Sequence, residues 1–272
     1  MPPVDLGPHL DWAKPWLEPY RHRGESLNAA WSAGRLEMEE PGWLAKALNA
    51  ALKTNGSNPP VAFVAQAQLP VGEAYEAYIR RTACVPTRDV MHDMFNGLVW
   101  SVFSAVKRQL NRLQAHEIES HGVGAIRGAV RDAATVFDEN GAIFQAPPEL
   151  WLALERRDWG ALFLTHRALW RQARLILVGH ALMEQLLRPR KPLTAHVIRW
   201  AAPLPEHPPH GGVDIGGMDA GLAPCLTADW LASKPFLPLP VLGVPGWWPA
   251  NEDPDFYADA GVFRPPRAAQ AR

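Results

Sequence analysis

Proline sets the strongest limit on how this chain can fold. Nearly half of its 27 prolines lie beyond Ala202, in stretches such as KPFLPLPVLGVPGWWPANEDPDFY. Proline lacks a backbone N–H and clashes with the preceding helical turn, so this density excludes long helices and central strands. The same region carries too much apolar surface for a disordered tail. Its large apolar side chains are Trp230, Phe236, Leu239, Val241, Trp247, Trp248, Phe256, Tyr257 and Phe263. We predict that residues 201–272 form an ordered, extended arm wrapped over a helical core.

The segment from Asp89 to about Glu119 has a helical period. Its apolar residues fall on one stripe, which predicts a long amphipathic helix with one face in the core. The stripe contains Met91, Phe95, Leu98, Val102, Val106, Leu110 and Leu113.

A second helix is predicted from Trp159 to Leu187, where Pro189 ends it. Its second half is apolar around nearly the whole circumference, which is typical of a helix buried on most sides. The residues concerned are Leu175, Ile176, Leu177, Val178, Ala181, Leu182, Met183, Leu186 and Leu187. We therefore expect a central helix, with His180 and Glu184 buried along with it.

Shorter patterns predict the remaining elements. PGWLAKALNAALK is typical of a helix that begins at Pro41, and VAFVAQAQL and LTAHVIRW are strand candidates. The run AVRDAATVFDENGAIFQ fits either a helix to Phe137 or a hairpin that turns at Asn140-Gly141. We favour a short helix that leads into a turn and a strand.

Together these patterns predict a predominantly helical α+β fold with few short strands. No internal repeat and no obvious linker divides the sequence, so we predict a single domain over residues 1–272. It would comprise an irregular N-terminal arm (1–40, with one helix near Leu27 to Trp31), a mainly helical core (41–200) and the Pro/Gly-rich wrapping arm (201–272).

Charge and cysteine content narrow the class of protein. A formal net charge of −1 and a pI near 6.8 give no general attraction to nucleic acid or anionic lipid, so neither is expected as a partner. The two cysteines, Cys84 and Cys225, fit neither a metal-ligand spacing nor a disulfide framework. We see no signal peptide and no membrane span. We expect a soluble, cytoplasmic protein whose partner is a small molecule or another protein.

Two polar pairs on the predicted helices are candidate metal ligands. His92 and Asp93 interrupt the apolar stretch MHDMFNGLVW, and His180 and Glu184 are four residues apart on the central helix. If the two helices cross in the core, these four side chains supply two nitrogen and two oxygen donors, a set that suits zinc, manganese or iron. The alternative is structural: buried polar groups commonly hydrogen-bond neighbouring loops.

The run RDAATVFDENG contributes a second candidate group. It brings together Arg131, Asp132, Asp138 and Glu139, and an arginine with several carboxylates suits phosphate or metal chemistry. We take Arg131, Asp138 and Glu139 as candidate catalytic residues. The Asn140-Gly141 pair that follows favours a solvated turn instead, and this alternative stays open.

Several common catalytic motifs are missing from the sequence. It has no glycine-rich phosphate loop, no Gly-x-Ser-x-Gly, no Cys-x-x-Cys and no His-Glu-x-x-His. Motif matching therefore assigns no reaction.

Four long segments in order nevertheless resemble one family. VPTRDVMHDMFNGLVW, RDAATVFDENGA, GHALMEQLLRPRKPLTAH and FLPLPVLGVPGWWPANEDPDFYADAGVFRP are similar to the bacterial domain-of-unknown-function family 3025, over about Val61 to Arg264. The resemblance implies a stand-alone cytoplasmic bacterial protein, and it implies no activity, cofactor or catalytic residues.

The resemblance also implies that the polar residues above belong to the family pattern. The positions concerned are His92, Asp93, Asn96, Arg131, Asp132, Asp138, Glu139, His180, Glu184 and His196. One departure is that the family often has a proline near the position of Ser104, so the long helix is expected to run straighter here.

Two functional hypotheses follow from these residues. The first is a metal-dependent or acid/base hydrolase of a small molecule, phosphorylated molecules included, with a divalent metal as its candidate cofactor. The second is a non-catalytic binding protein whose Trp/Pro-rich arm, including PGWWP, contacts a partner.

Overall fold

The structure is a computed structural model, and it describes residues 10–32, 40–53, 61–122, 128–200 and 214–265. Parts of both predicted arms, residues 1–9, 33–39, 201–213 and 266–272, lie outside the described residues.

Ten α-helices and six strands follow one another along the described chain. The helices are α1 (Arg21–Ser32), α2 (Trp43–Lys53), α3 (Tyr75–Thr82), α4 (Met91–Val102), α5 (Ser104–His121), α6 (Ala129–Asn140), α7 (Pro148–Glu155), α8 (His180–Gln185), α9 (Ile215–Leu222) and α10 (Ala228–Ala232). The strands are β1 (Ala62–Ala65), β2 (Cys84–Thr87), β3 (Gly141–Gln145), β4 (Arg174–Leu177), β5 (Thr194–Arg199) and β6 (Leu237–Pro240).

The predicted fold class is confirmed. Helical turns of all types make up 60% of the described residues and strands 12%, so the fold is α+β and predominantly helical. The helix-to-strand interpretation of AVRDAATVFDENGAIFQ is also confirmed, because α6 ends at Asn140 and β3 begins at Gly141. None of the described helices has both the length and the apolar character needed to cross a bilayer.

The strands form two small sheets. β1 and β2 pair in parallel, and a mixed four-stranded sheet has the order β4-β3-β5-β6. β3 runs antiparallel to β4 and parallel to β5, and β5 runs antiparallel to β6. β6 carries Pro238 and Pro240 and lies at the edge of the sheet, where proline is tolerated.

The predicted central helix from Trp159 to Leu187 is wrong as a single element. Arg174–Leu177 is strand β4, the region before it forms short π and 3₁₀ turns, and only His180–Gln185 is an α-helix. A continuous apolar run fits a buried strand as well as a buried helix, because neither has a solvent face to impose a period. Its buried residues lie on a strand followed by a short helix, and Glu184, which was expected to be buried, is 40% exposed.

The predicted long helix is interrupted in its middle. α4 ends at Val102, Phe103 adopts φ −114° and ψ 52°, and α5 begins at Ser104. Asp219 of α9 binds the free N–H groups of the new helix start, since its carboxylate accepts from the backbone of Ala105 and Val106 at 2.8 Å each. The two halves of the apolar stripe therefore lie on two helices, and the expectation of a straighter helix is wrong.

Both predicted arms contribute to one hydrophobic core. In the N-terminal region the buried residues Trp16, Leu17 and Tyr20 form a 3₁₀ turn before α1, and the Tyr20 hydroxyl donates to the Leu177 carbonyl at 2.6 Å. In the C-terminal region, Leu239 and Leu242 are fully buried in the same core cluster. Over residues 214–265 the arm contains α9, α10 and short 3₁₀ turns besides β6, so it is less extended than predicted.

Candidate functional site

The helices that carry the two polar pairs do meet. The Nδ1 atom of His92 on α4 lies 2.9 Å from Oε2 of Glu184 on α8, and its Nε2 atom lies 3.0 Å from Nε2 of His180. The imidazole rings pack edge to face with centroids 4.5 Å apart. Three of the four predicted metal ligands, His92, His180 and Glu184, are thus in direct contact.

The contacts continue into α6 and α5. Nδ1 of His180 lies 2.7 Å from the backbone oxygen of Asp138, and the Asp138 carboxylate forms a very short ion pair with the ammonium group of Lys107. We refer to Glu184, His92, His180, Asp138 and Lys107 as the histidine network. It runs from a half-exposed end, where the Glu184 side chain is 40% exposed, to a buried end, where Lys107 is 5% exposed.

Hydrogen-bond directions in the network are determined by one carbonyl. The Asp138 carbonyl only accepts, so His180 donates from Nδ1 and, as a neutral ring, accepts at Nε2. His92 must then donate from Nε2. The remaining contact, His92 Nδ1 to Glu184, needs one more proton, which sits either on the imidazole or on the carboxyl group.

The environment of the two buried groups supports these proton states. Burial lowers the pKa of His180 from its ordinary 6.5 to about 4, against the opposing pull of Asp138, so the ring is neutral near pH 7. Burial alone would raise the pKa of Asp138, but the charge of Lys107, the hydrogen bond from Lys107 and the two histidines together outweigh it, so the pKa of this carboxyl lies below its ordinary value. Lys107 and Asp138 therefore form a charged pair beside a neutral histidine.

A glycine allows the start of α8 to approach the end of α6. The Gly179 amide donates to the Gly141 carbonyl at 2.8 Å. A Cβ atom at Gly179 would lie 2.5 Å from the Cα atom of Asn140 and 2.6 Å from the Glu139 carbonyl oxygen, which is too close for any side chain. This close approach places His180 against Asp138.

Asp93, the fourth predicted metal ligand, points away from the network. Its carboxylate accepts from the Arg88 backbone N–H at 2.6 Å and from the Arg88 guanidinium at 2.8 and 3.2 Å. Within the described part of the chain, no group of three or more His, Cys, Asp and Glu side chains is arranged to hold a metal ion.

Of the three predicted catalytic residues, only Asp138 joins the network. Arg131 lies two turns earlier on α6, about 10 Å along the helix axis, and Glu139 follows Asp138 on a neighbouring face. Asp132 forms an exposed ion pair with Lys234 at 3.2 Å. The run RDAATVFDENG therefore does not act as one cluster.

A family comparison agrees with the resemblance of the four sequence segments. The family model described as "Protein of unknown function (DUF3025)" matches residues 61–267, about three quarters of the chain. The chain belongs to the DUF3025 family. No curated protein and no solved structure matches it.

The sequence analysis did not predict Lys107, a residue of the DUF3025 network, or Tyr75, which lies within electrostatic reach of Asp138. Lys107 lies on α5, and a lysine on a mostly buried helix face requires an acidic partner. Tyr75 gave no signal in the sequence. Its hydroxyl accepts from Asn96 Nδ2 at 3.2 Å, while Oδ1 of Asn96 is buried without a hydrogen-bond partner among the described residues.

At its half-exposed end, the DUF3025 network combines an acid, a base and a nearby cation. Glu184 and His92 share one proton, and Arg88, whose side chain is 56% exposed, lies within electrostatic reach of Glu184. Hydrogen bonds from Arg88 to Asp93 raise the pKa of the guanidinium above its ordinary value, and Glu184 adds a smaller effect in the same direction. The arrangement can hold an anion and transfer a proton at neighbouring points.

Proposed function

We propose that this protein hydrolyses a small ester by general acid/base catalysis, with Glu184 as the group that exchanges a proton with water and substrate. The observation that carries the proposal is the histidine network itself. Its contacts leave one proton to be shared between His92 and Glu184, at the end of the network that solvent reaches. A carboxyl group with an adjacent proton store suits general acid/base work.

The proposed reaction moves one proton of the attacking water in two steps, while the shared proton stays on His92. The Glu184 carboxylate takes a proton from water while the water oxygen bonds to the electrophilic carbon or phosphorus atom. The resulting carboxyl group then gives this proton to the leaving oxygen as the ester bond breaks, which restores the carboxylate. His92 remains hydrogen-bonded to Glu184 throughout and holds it in position.

The buried end of the network supports this role by holding the histidines in place. His180 is anchored by the Asp138 carbonyl, and Asp138 is anchored by Lys107. Groups fixed in this way lose little energy to reorganisation during proton transfer. Lys107, Asp138 and His180 are therefore positioning residues in this proposal.

Arg88 supports an anionic substrate. Its guanidinium is held by Asp93, half of its side chain is open to solvent, and it lies near Glu184. Arginine matches the geometry of phosphate and carboxylate groups. We therefore favour phosphate esters, or carboxylic esters that carry a second anionic group. We place the reaction in the cytoplasm, since Cys84 and Cys225 are free thiols.

Hydrolysis of a panel of chromogenic phosphate and carboxylic esters tests the proposal. We expect turnover by the wild type and a fall in kcat of about a hundredfold or more in Glu184→Gln. The matched control is Glu117→Gln, which removes the acid of a surface His121–Glu117 pair and should leave kcat unchanged. No hydrolysis of any ester, or equal activity in wild type and Glu184→Gln, would contradict the proposal.

A metal-dependent route is the other branch of the hydrolase hypothesis. We favour the metal-free branch because Asp93 is already bound by Arg88 and Glu184 contacts the Nδ1 atom of His92. Elemental analysis of the purified wild type beside His180→Ala distinguishes the two. If the wild type contains stoichiometric metal and His180→Ala has lost it, the metal-dependent mechanism is the correct one and the metal-free mechanism is wrong.

The binding-protein hypothesis is the alternative to catalysis. Much of the C-terminal arm packs in the core, which leaves less of it to contact a partner. The PGWWP turn is different, because Trp247 and Trp248 are only half-buried and line a cleft.

A further inference from the structure

A cleft of about 750 Å³ lies between the N-terminal region, the region after α8 and the PGWWP turn. Three indole rings, from Trp16 near the N-terminus and from Trp247 and Trp248 in the PGWWP turn, line it together with Met91, Leu186 and Leu187. The rings of Trp16 and Trp247 lie 5.7 Å apart at an angle of 52°. We refer to it as the indole cleft.

Size and lining indicate a small molecule rather than a folded partner. Sites for small ligands commonly enclose about 300–1,000 Å³ and are lined by apolar and aromatic side chains with a few polar groups. Here the polar groups are Asp11 and Lys14, an exposed ion pair that also borders the cleft. Indole rings favour stacked or edge-to-face contact with other rings. The cleft therefore suits a planar aromatic group.

The wall of the indole cleft includes sequence neighbours of His92 and Glu184, the residues at the half-exposed end of the network. Met91, in its wall, is the residue directly before His92 in α4. Leu187, also in its wall, lies just beyond the end of α8, and its amide donates to the Glu184 carbonyl at 3.1 Å. A molecule in the cleft is thus within one helical turn of the Glu184 backbone.

We propose that the indole cleft binds the planar aromatic part of an anionic ester, whose reacting bond lies toward Glu184. This inference rests on the proposed function and names the class of its substrate: an aryl ester with a phosphate or similar anionic group. The indole rings bind the aryl group, and Arg88 attracts the anion.

Binding of a non-hydrolysable analogue tests the inference independently of turnover. Naphthylmethyl phosphonate cannot be hydrolysed, because a carbon atom replaces the ester oxygen, and methylphosphonate is the same anion without the ring. Calorimetric titration of the full chain should show one naphthylmethyl phosphonate per chain, bound at least about tenfold more tightly than methylphosphonate. Equal affinity for both compounds would overturn the proposal.

Variants locate the binding site. Trp248→Ala and Trp248→Leu should both weaken naphthylmethyl phosphonate about tenfold, and the leucine variant keeps apolar bulk if the alanine variant folds poorly. The matched control is Trp230→Ala, which removes a half-buried indole that packs against Phe236 outside the cleft. Wild-type affinity in both Trp248 variants would overturn the proposal.

The two proposals fail in different ways. If the phosphonate binds in a Trp248-dependent way but no ester is hydrolysed, the cleft is a binding site for aryl anions and the hydrolase proposal is wrong. If hydrolysis depends on Glu184 but the aryl phosphonate binds no more tightly than methylphosphonate, the hydrolase proposal stands and the cleft is not its substrate site. If the wild type binds no phosphonate and sediments as a dimer that Trp248→Leu dissociates, the cleft binds a second copy and the inference is wrong.

Discussion

Lys107 and Asp138 stabilise each other at the buried end of the histidine network. The Lys107 side chain is 5% exposed and that of Asp138 is 22% exposed, so neither charge is well solvated alone. We predict that Lys107→Met destabilises the protein by about 3 kcal/mol, because it leaves the carboxylate of Asp138 without its partner. Urea denaturation measures the free energy of unfolding.

Two further variants make this prediction specific. The double variant Lys107→Met with Asp138→Asn should recover much of the loss, since it removes both charges. Lys234→Met breaks the exposed pair with Asp132 and should cost less than about 1 kcal/mol. If Lys107→Met and Lys234→Met lower the free energy of unfolding by similar amounts, burial does not determine how much the Lys107–Asp138 ion pair contributes to stability.

His180 makes stability depend on pH in a defined window. The unfolded chain binds a proton at this residue near pH 6.5, while the folded chain binds it only near pH 4. Acid therefore favours the unfolded state between these values, and the free energy of unfolding should fall by about 3 kcal/mol from pH 6.5 to pH 4.

Denaturation at pH 7.0, 5.5 and 4.5, compared between wild type and His180→Gln, isolates this contribution. The glutamine variant has no titrating group at this position, so its stability should fall less over the same range. Parallel curves for the two proteins would show that His180 is not the group responsible.

Sequence patterns predicted which polar side chains meet better than which side chains could bind a metal ion. His180 and Glu184 share a face because they are four residues apart, and His92 interrupts an apolar stretch, so all three were found. Lys107 and Asp138 pair across 31 residues, and no local period predicts a contact between two different helices. Asp93 was misassigned because its partner, Arg88, comes from the loop just before α4.

The junction between α4 and α5 divides the predicted long helix, so the residues before and after Phe103 lie on two separate helices. Ser104 is the first residue of α5, and this position tolerates proline because its N–H is free in any helix.

A pair of proline variants tests this junction. We predict that Ser104→Pro changes the free energy of unfolding by less than about 1 kcal/mol, whereas Ser101→Pro, inside α4, costs about 3 kcal/mol or more. Thermal and urea denaturation of both variants provide the comparison. If both are equally destabilised, α4 and α5 behave as one continuous helix in solution.

The mistaken central helix has a different physical origin. Leu175, Ile176 and Leu177 belong to β4, which pairs with β3; Ile176 and Leu177 are buried and Leu175 is half-buried. A strand covered on both faces shows no alternation, so the sequence offers only length and β-branched residues to distinguish it. The structure shortens the helix to α8 but keeps His180 and Glu184 on it.

At the scale of the whole molecule, the C-terminal arm completes the core. β6 pairs with β5, and Phe263 and Tyr257 pack against Phe163 with ring centroids 5.9 and 5.1 Å apart. The apolar composition of the arm predicted that it would be ordered, because these residues need burial. It did not predict that β6 would pair with β5. The single-domain organisation stays a prediction.

Truncation tests how far the core depends on the arm. We predict that a chain ending at Asp229 does not fold, because it loses β6 and the fully buried residues Leu239, Val241 and Leu242. Circular dichroism should show no cooperative melting transition. A truncated chain that melts cooperatively would show that residues 10–229 form a domain of their own and that the arm is free to bind a partner.

The two prolines of β6 also determine where the sheet ends. Pro238 and Pro240 lie opposite His196 and Thr194 and have no N–H, so on the outer edge of β6 these positions offer a neighbouring strand only carbonyl groups. A strand from another molecule would find too few donors there to extend the ladder. Aggregation by edge-to-edge strand addition is therefore blocked on that side, even when the protein is crowded among many copies of itself.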